Sequence, residues 1–98
     1  MRHLKTYENK KYSDIINKYL VYYYGDSKKL HITHVKEVFE NFSVVGLDYV
    51  MRLGKWTNYK LGHLTRDIRY MNILGTFDTL KEAIDFYDMA EDTKKYNL

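Results

Sequence analysis

The segment NILGTFDTLKEAIDFYDMAE, residues 72–91, constrains the fold more than any other part of the chain. Gly75 closes a β-rich run, and Thr79 stands three residues before Glu82, which is the spacing of a capping box. In that motif the threonine oxygen accepts from the Glu82 amide while the glutamate carboxylate reaches back. Leu80, Ala83, Ile84, Tyr87 and Ala90 follow at helical spacing as one apolar stripe, with Asp85, Asp88 and Glu91 off it. Lys94 and Lys95 complement the negative end of the helix dipole. The stripe must bury against something, and a sheet with one free face is the nearest candidate.

The preceding residues supply that sheet. SVVGLDYVMRLGKW, from Ser43, is rich in β-branched and aromatic residues, and LGK reads as a hairpin turn. WTNYKLGHL continues as a second strand, GHLTRD is a looser connection, and IRYMNILG is a third strand. Connections this short favour sequential antiparallel pairing, hence a meander. Earlier still, YSDIINKYLVYYYG offers Ser13 as a helix cap and Asp14 in the first turn. Ile15, Ile16, Tyr19, Leu20 and Tyr23 recur at helical spacing, and Gly25 supplies a left-handed stop. In ITHVKEVFENF, Thr33 caps a second helix with Val35, Val38, Phe39 and Phe42 as its stripe. The predicted architecture is α+β in a single domain over residues 1–98. Residues 1–42 form an extension of two N-terminal helices. Residues 43–98 form a three-stranded antiparallel sheet with a C-terminal amphipathic helix packed on it.

Composition narrows the function classes. Ninety-eight residues make one small domain, and with no cysteine there is no disulfide and no thiolate metal site. No apolar run approaches the ~20 residues needed to span a bilayer, and MRHLKTYENKKY has no apolar core behind its charges, so neither a membrane partner nor a secretory signal is expected. The expectation is a cytoplasmic protein. Residues 1–75 hold thirteen Lys and Arg against seven Asp and Glu, whereas residues 76–98 hold three against six. A basic body with an acidic tail helix binds polyanions with one side only. Lys, Asn, Ile and Tyr, all with AT-rich codons, are frequent, which points to a bacterial virus or mobile element as source.

Three stretches carry a family resemblance: GKW at Gly54–Trp56, LGTFDT at Leu74–Thr79 and EAIDFYDMA at Glu82–Ala90. With them, residues 44–96 resemble the AP2 (ERF-type) DNA-binding domain, including its relatives in phage and homing endonucleases. The resemblance implies that the sheet face opposite the helix lies in a DNA major groove, with strand arginines and tryptophan reaching bases and phosphates. On the family's register that face carries Tyr49, Met51, Leu53, Tyr59, Leu61, Met71 and Ile73. The other parity carries Arg52, Trp56, Asn58, Lys60, Tyr70 and Asn72, a basic, amide and aromatic set. A slip of one residue exchanges the two faces, and the residues leave that choice open. The His- and Asn-rich nuclease pattern of the homing endonucleases has no counterpart in the first forty residues.

No other chemistry is spelled out. His31 and His34, three apart, present two imidazoles on one helical turn, but a zinc site needs three or four ligands, and His3 and His63 are distant in sequence. No metal, cofactor or small-molecule substrate is expected. Two readings follow. The first is a non-enzymatic DNA-binding protein that engages duplex DNA through Arg52, Lys55, Trp56, Asn58, Lys60, Arg66, Arg69, Tyr70 and Asn72. The second is a small phage-encoded, anti-CRISPR-like inhibitor that binds a host defence protein through Asp85, Asp88, Glu91 and Asp92 on the polar side of the last helix.

Overall fold

A computed structural model describes residues 10–58 and 64–96. A 3-10 turn at Lys10–Ile15 leads into β1 (Tyr19–Tyr24), β2 (Leu30–Val38), β3 (Ser43–Arg52), β4 (Lys55–Asn58) and β5 (Leu64–Asp67). A second 3-10 turn, Ile68–Tyr70, precedes β6 (Met71–Phe77), and α1 (Leu80–Tyr96) closes the chain. All pairings are antiparallel within one sheet of order β4-β3-β2-β1-β6, with β5 also paired to β3.

This corrects the predicted fold in two places. The two N-terminal helices are instead β1 and β2, and β1 sits at the centre of the sheet between β2 and β6. YLVYYY carries aromatic and β-branched side chains suited to a pleated surface, and Asn17, at φ 68°, breaks any helix entering it. Gly25 (φ 60°) makes the β1–β2 turn rather than a helix stop. Thr33 is an interior strand residue rather than a cap. The three-stranded meander is also not formed. The strand carrying LGTF pairs with β1, so the 43–77 segment is completed by the residues before it.

The sheet is curled, and its connectivity requires this. β5 and β6 stand at opposite edges of the strand order, yet only the three residues of the second 3-10 turn join them. The edges must therefore approach one another. They do so over β1: Arg66 Nη1 donates to the Tyr22 hydroxyl at 3.1 Å, and the Asp67 amide donates to the Tyr24 hydroxyl at 3.2 Å. Irregularities in register at Val35/Glu37 and Val21/Tyr22 supply the bending. At Gly46 the strands pack so closely that a Cβ would lie 2.5 Å from the His34 carbonyl oxygen.

Curling gives two cores. The concave one holds Leu20, Tyr22, Val35, Val38, Val44, Ile68 and Met71, closed by Ile15 and the half-buried Phe42. The convex one holds Val21, Leu30 and Ile32 under Ala83, Leu80, Ile84, Tyr87 and Ala90 of α1. Strand alternation thus accounts for the run of tyrosines: Tyr22 enters the concave core and Tyr23 the convex one. The helix start forms as the sequence specifies, with the Glu82 amide donating to Thr79 Oγ1 at 3.2 Å and the Thr79 amide to Glu82 Oε1 at 3.3 Å. No helix among the described residues is long and apolar enough to cross a membrane.

Candidate nucleic-acid interface

The β2–β3 ladder ends at Ile32 opposite Tyr49, and beyond it Val50, Met51 and Arg52 pair only with Thr57, Trp56 and Lys55 of β4. This two-stranded arm turns through Leu53 (φ 50°) and Gly54 (φ 78°), both left-handed, as a two-residue turn matched to the twist of the strands requires. Glycine adopts that conformation freely, whereas leucine does so at a cost. Elsewhere such costs have visible returns. Phe42, at φ 69°, is half-buried in the concave core under the Arg69 guanidinium, and Asn17 belongs to a residue type that tolerates the region. Leu53 has no such return, because it is 102% exposed.

The turn's neighbours add to the imbalance. Arg52 and Lys55 face each other directly across the arm, which is unfavourable for like charges, and neither has an ion-pair partner among the described residues. Met51, on the other face, is half-exposed. From Tyr49 to Arg66 the sequence contains no Asp or Glu, so the arm carries no acid of its own. Trp56, opposite Met51 and next to the Arg52–Lys55 pair, holds the arm against α1, its ring meeting Tyr87 edge-on at 4.8 Å.

The predicted contact set does not form one face. A two-residue turn places Arg52 opposite Lys55, so Trp56 falls opposite Met51 and Asn58 opposite Tyr49, on the helix side of the sheet. The grouping of Arg52 with Trp56 and Asn58 is therefore divided by strand alternation. Lys60 lies outside the described residues. Arg69 is clamped by Asp67, with Nε 3.0 Å from Oδ1 and Nη2 2.6 Å from Oδ2, and this pairing draws the Asp67 carboxyl below its usual range. Tyr70 is exposed beside Tyr24, and Asn72 donates to the Gly25 carbonyl at 3.4 Å. Of the alternative set, Asp85 pairs with Lys81 at 3.1 Å, Asp88 and Asp92 are exposed, and Glu91 is half-buried.

Arg66 belongs to a closed circuit in the concave core. It donates through Nη1 to the Tyr22 hydroxyl, which lies 2.9 Å from Thr33 Oγ1, and Thr33 donates to Asp48 Oδ1. Asp48 Oδ2 returns to Arg66 Nη2 at 3.4 Å. Burial, with Asp48 nearby, pushes the Tyr22 hydroxyl up to about 12, so it stays protonated and able to donate. This cluster, which the sequence reading missed, holds the curl together.

The two histidines are separated as well. Being three apart on a strand, they point to opposite faces: His31 lies against Tyr22 in the concave core and His34 stacks on Tyr19 at 4.1 Å on the convex side. No group of three or more potential ligands is placed to hold a metal among the described residues. Both imidazoles are held below their ordinary value of 6.5, chiefly by burial, with Arg66 adding for His31 and Lys36 for His34. A base depressed in the folded state takes up its proton more readily when unfolded. Its contribution is therefore complete above about pH 6.5 and is lost as pH falls below that value. The melting temperature is expected to fall on acidification from about pH 7 to about pH 5, and the fall is expected to shrink in H31Q/H34Q. An unchanged or rising melting temperature over that range contradicts the assignment.

Comparison of the chain with protein-family models, curated proteins and solved structures gave no match. The arm's cations were legible in the sequence. Leu53 stands on the groove-facing set of the AP2 register but not in the predicted contact set, although two signals mark it: the long acid-free stretch around it, and leucine before Gly54 where Asn or Asp is the usual turn residue.

Proposed function

We propose that the protein is a non-enzymatic DNA-binding protein, acting in the cytoplasm of a host cell, that engages duplex DNA with the tip of the β3–β4 arm. One observation carries the reading. A wholly exposed leucine in a left-handed turn, set between two facing cations, is a combination that costs folding stability and gives nothing back to the fold. A polyanion removes the charge cost by placing phosphates beside Arg52 and Lys55. The basic excess of residues 1–75 and the acidic excess of residues 76–98 favour approach of a polyanion by the basic side. The resemblance of residues 44–96 to AP2 domains, carried by GKW, LGTFDT and EAIDFYDMA, points to the same partner. The mode differs, because here two strands and their turn make the contact rather than a three-stranded face.

The test is binding of the protein to a mixed-sequence duplex, followed by fluorescence anisotropy at rising salt. Each phosphate neutralised contributes about −0.9 to the slope of log affinity against log salt, so two arm cations alone give a slope of about −2. Absence of binding at low salt, or affinity independent of salt, refutes the proposal. Under the other reading, an inhibitor of a host defence protein, the contact is the acidic surface of α1. D85K/D88K then abolishes activity while substitutions in the arm leave it intact.

A further inference from the structure

Resting on the DNA-binding reading, we infer that Leu53 is a wedge: it inserts between adjacent base pairs from the minor-groove side and kinks the duplex, while Arg52 and Lys55 hold the phosphates on either side.

The dimensions and the chemistry of the tip favour this over groove reading. A two-stranded ribbon enters a major groove about 12 Å wide without distorting it, and there it reads base edges with polar side chains. Behind Leu53, however, the face shared with the helix side carries Met51 and Trp56, a thioether and an indole packed on Tyr87. The amide of Asn58 stands four residues before the end of the arm, roughly 13 Å back at strand spacing. The part of the arm that arrives first is therefore an aliphatic side chain with a cation on each strand behind it. A minor groove about 6 Å wide cannot receive the ribbon undeformed. Apolar wedges of the leucine, isoleucine and methionine type unstack a base step and open that groove by bending the duplex away. Insertion buries the leucine that the free protein leaves in water, and the bend brings the flanking phosphates toward Arg52 and Lys55.

The fold supplies a clean variant. Asparagine before Gly54 is better suited to this turn than leucine, so Leu53→Asn keeps or strengthens the arm while removing the wedge. Leu53→Met retains an apolar tip. A duplex of about 20 base pairs with a central TA step, labelled at both ends for energy transfer, reports bending, because such steps kink readily. A second duplex with a central mismatch lowers the cost of unstacking. Saturating wild-type protein is expected to bring the duplex ends together and to prefer the mismatched duplex by about tenfold. Leu53→Asn, with a melting temperature at or above that of the wild type, is expected to bind DNA without bending it and to show no more than about twofold preference. Leu53→Met is expected to behave as wild type. Binding by the wild type with no bend, or equal bending by Leu53→Asn, overturns the wedge and leaves DNA binding standing. Absence of binding to either duplex overturns both.

Discussion

Replacing Asp48 with alanine is expected to cost about 3 kcal/mol of stability. The carboxylate is 6% exposed and serves two partners, accepting from Thr33 and pairing with Arg66. Its removal opens the circuit at both ends. Thr33 loses its acceptor, and the Arg66 guanidinium is left over the Tyr22 and Tyr24 rings without its counter-charge. Arg66 keeps some contact with water, which holds the cost at the lower end of the range for breaking a buried pair. For a domain of this size the melting temperature should drop by more than about 10 °C, read by circular dichroism. Asp48→Asn keeps an acceptor for Thr33 and should cost less. Adding Arg66→Met to the alanine variant should recover part of the loss, because two groups in one network do not contribute additively. A melting temperature for Asp48→Ala within about 2 °C of wild type would show that the circuit does not hold the curl.

The second large effect lies on DNA. R52E/K55E is expected to weaken duplex binding by at least about a hundredfold near 0.1 M salt, because two phosphate contacts are replaced by two repulsions at the leading end of the arm. Both side chains are exposed and form no ion pair with described residues, so the fold has little to lose. The melting temperature should stay within a few degrees of wild type, which separates this result from unfolding. Arg69→Ala, by contrast, removes a guanidinium already committed to Asp67 and should change affinity far less. Equal losses from Arg69 and from the Arg52 and Lys55 pair would mean that the charge of the whole body, rather than the arm, sets the affinity.

What could be read from the sequence follows from the range over which each feature is determined. The helix was legible because Thr79, Glu82 and the stripe from Leu80 to Ala90 are local to it, and local signals suffice for a capped amphipathic helix. The hairpin at Leu53–Gly54 was legible for the same reason. β1 was misread because Ile15, Ile16, Tyr19, Leu20 and Tyr23 match a helical period. The partner that decides otherwise, β6, begins some fifty residues later. β2 carried a period-two signal, with Leu30 and Ile32 on one side and Thr33 and Val35 on the other, which the apparent cap at Thr33 obscured. The circuit of Tyr22, Thr33, Asp48 and Arg66 draws one residue from each of four strands and has no sequence signature. The candidate site was half legible: its cations stand out by charge, whereas Leu53 reads as an ordinary residue of the hairpin turn until its exposure is known.

Amide chemical-shift mapping during titration with a short duplex shows whether the arm's tip is the DNA-contacting element. The largest shifts are expected at residues 51–57, with the outer side of α1, from Lys81 to Asp92, unmoved. Shifts concentrated on Asp85, Asp88 and Asp92, or none along the arm, would contradict it.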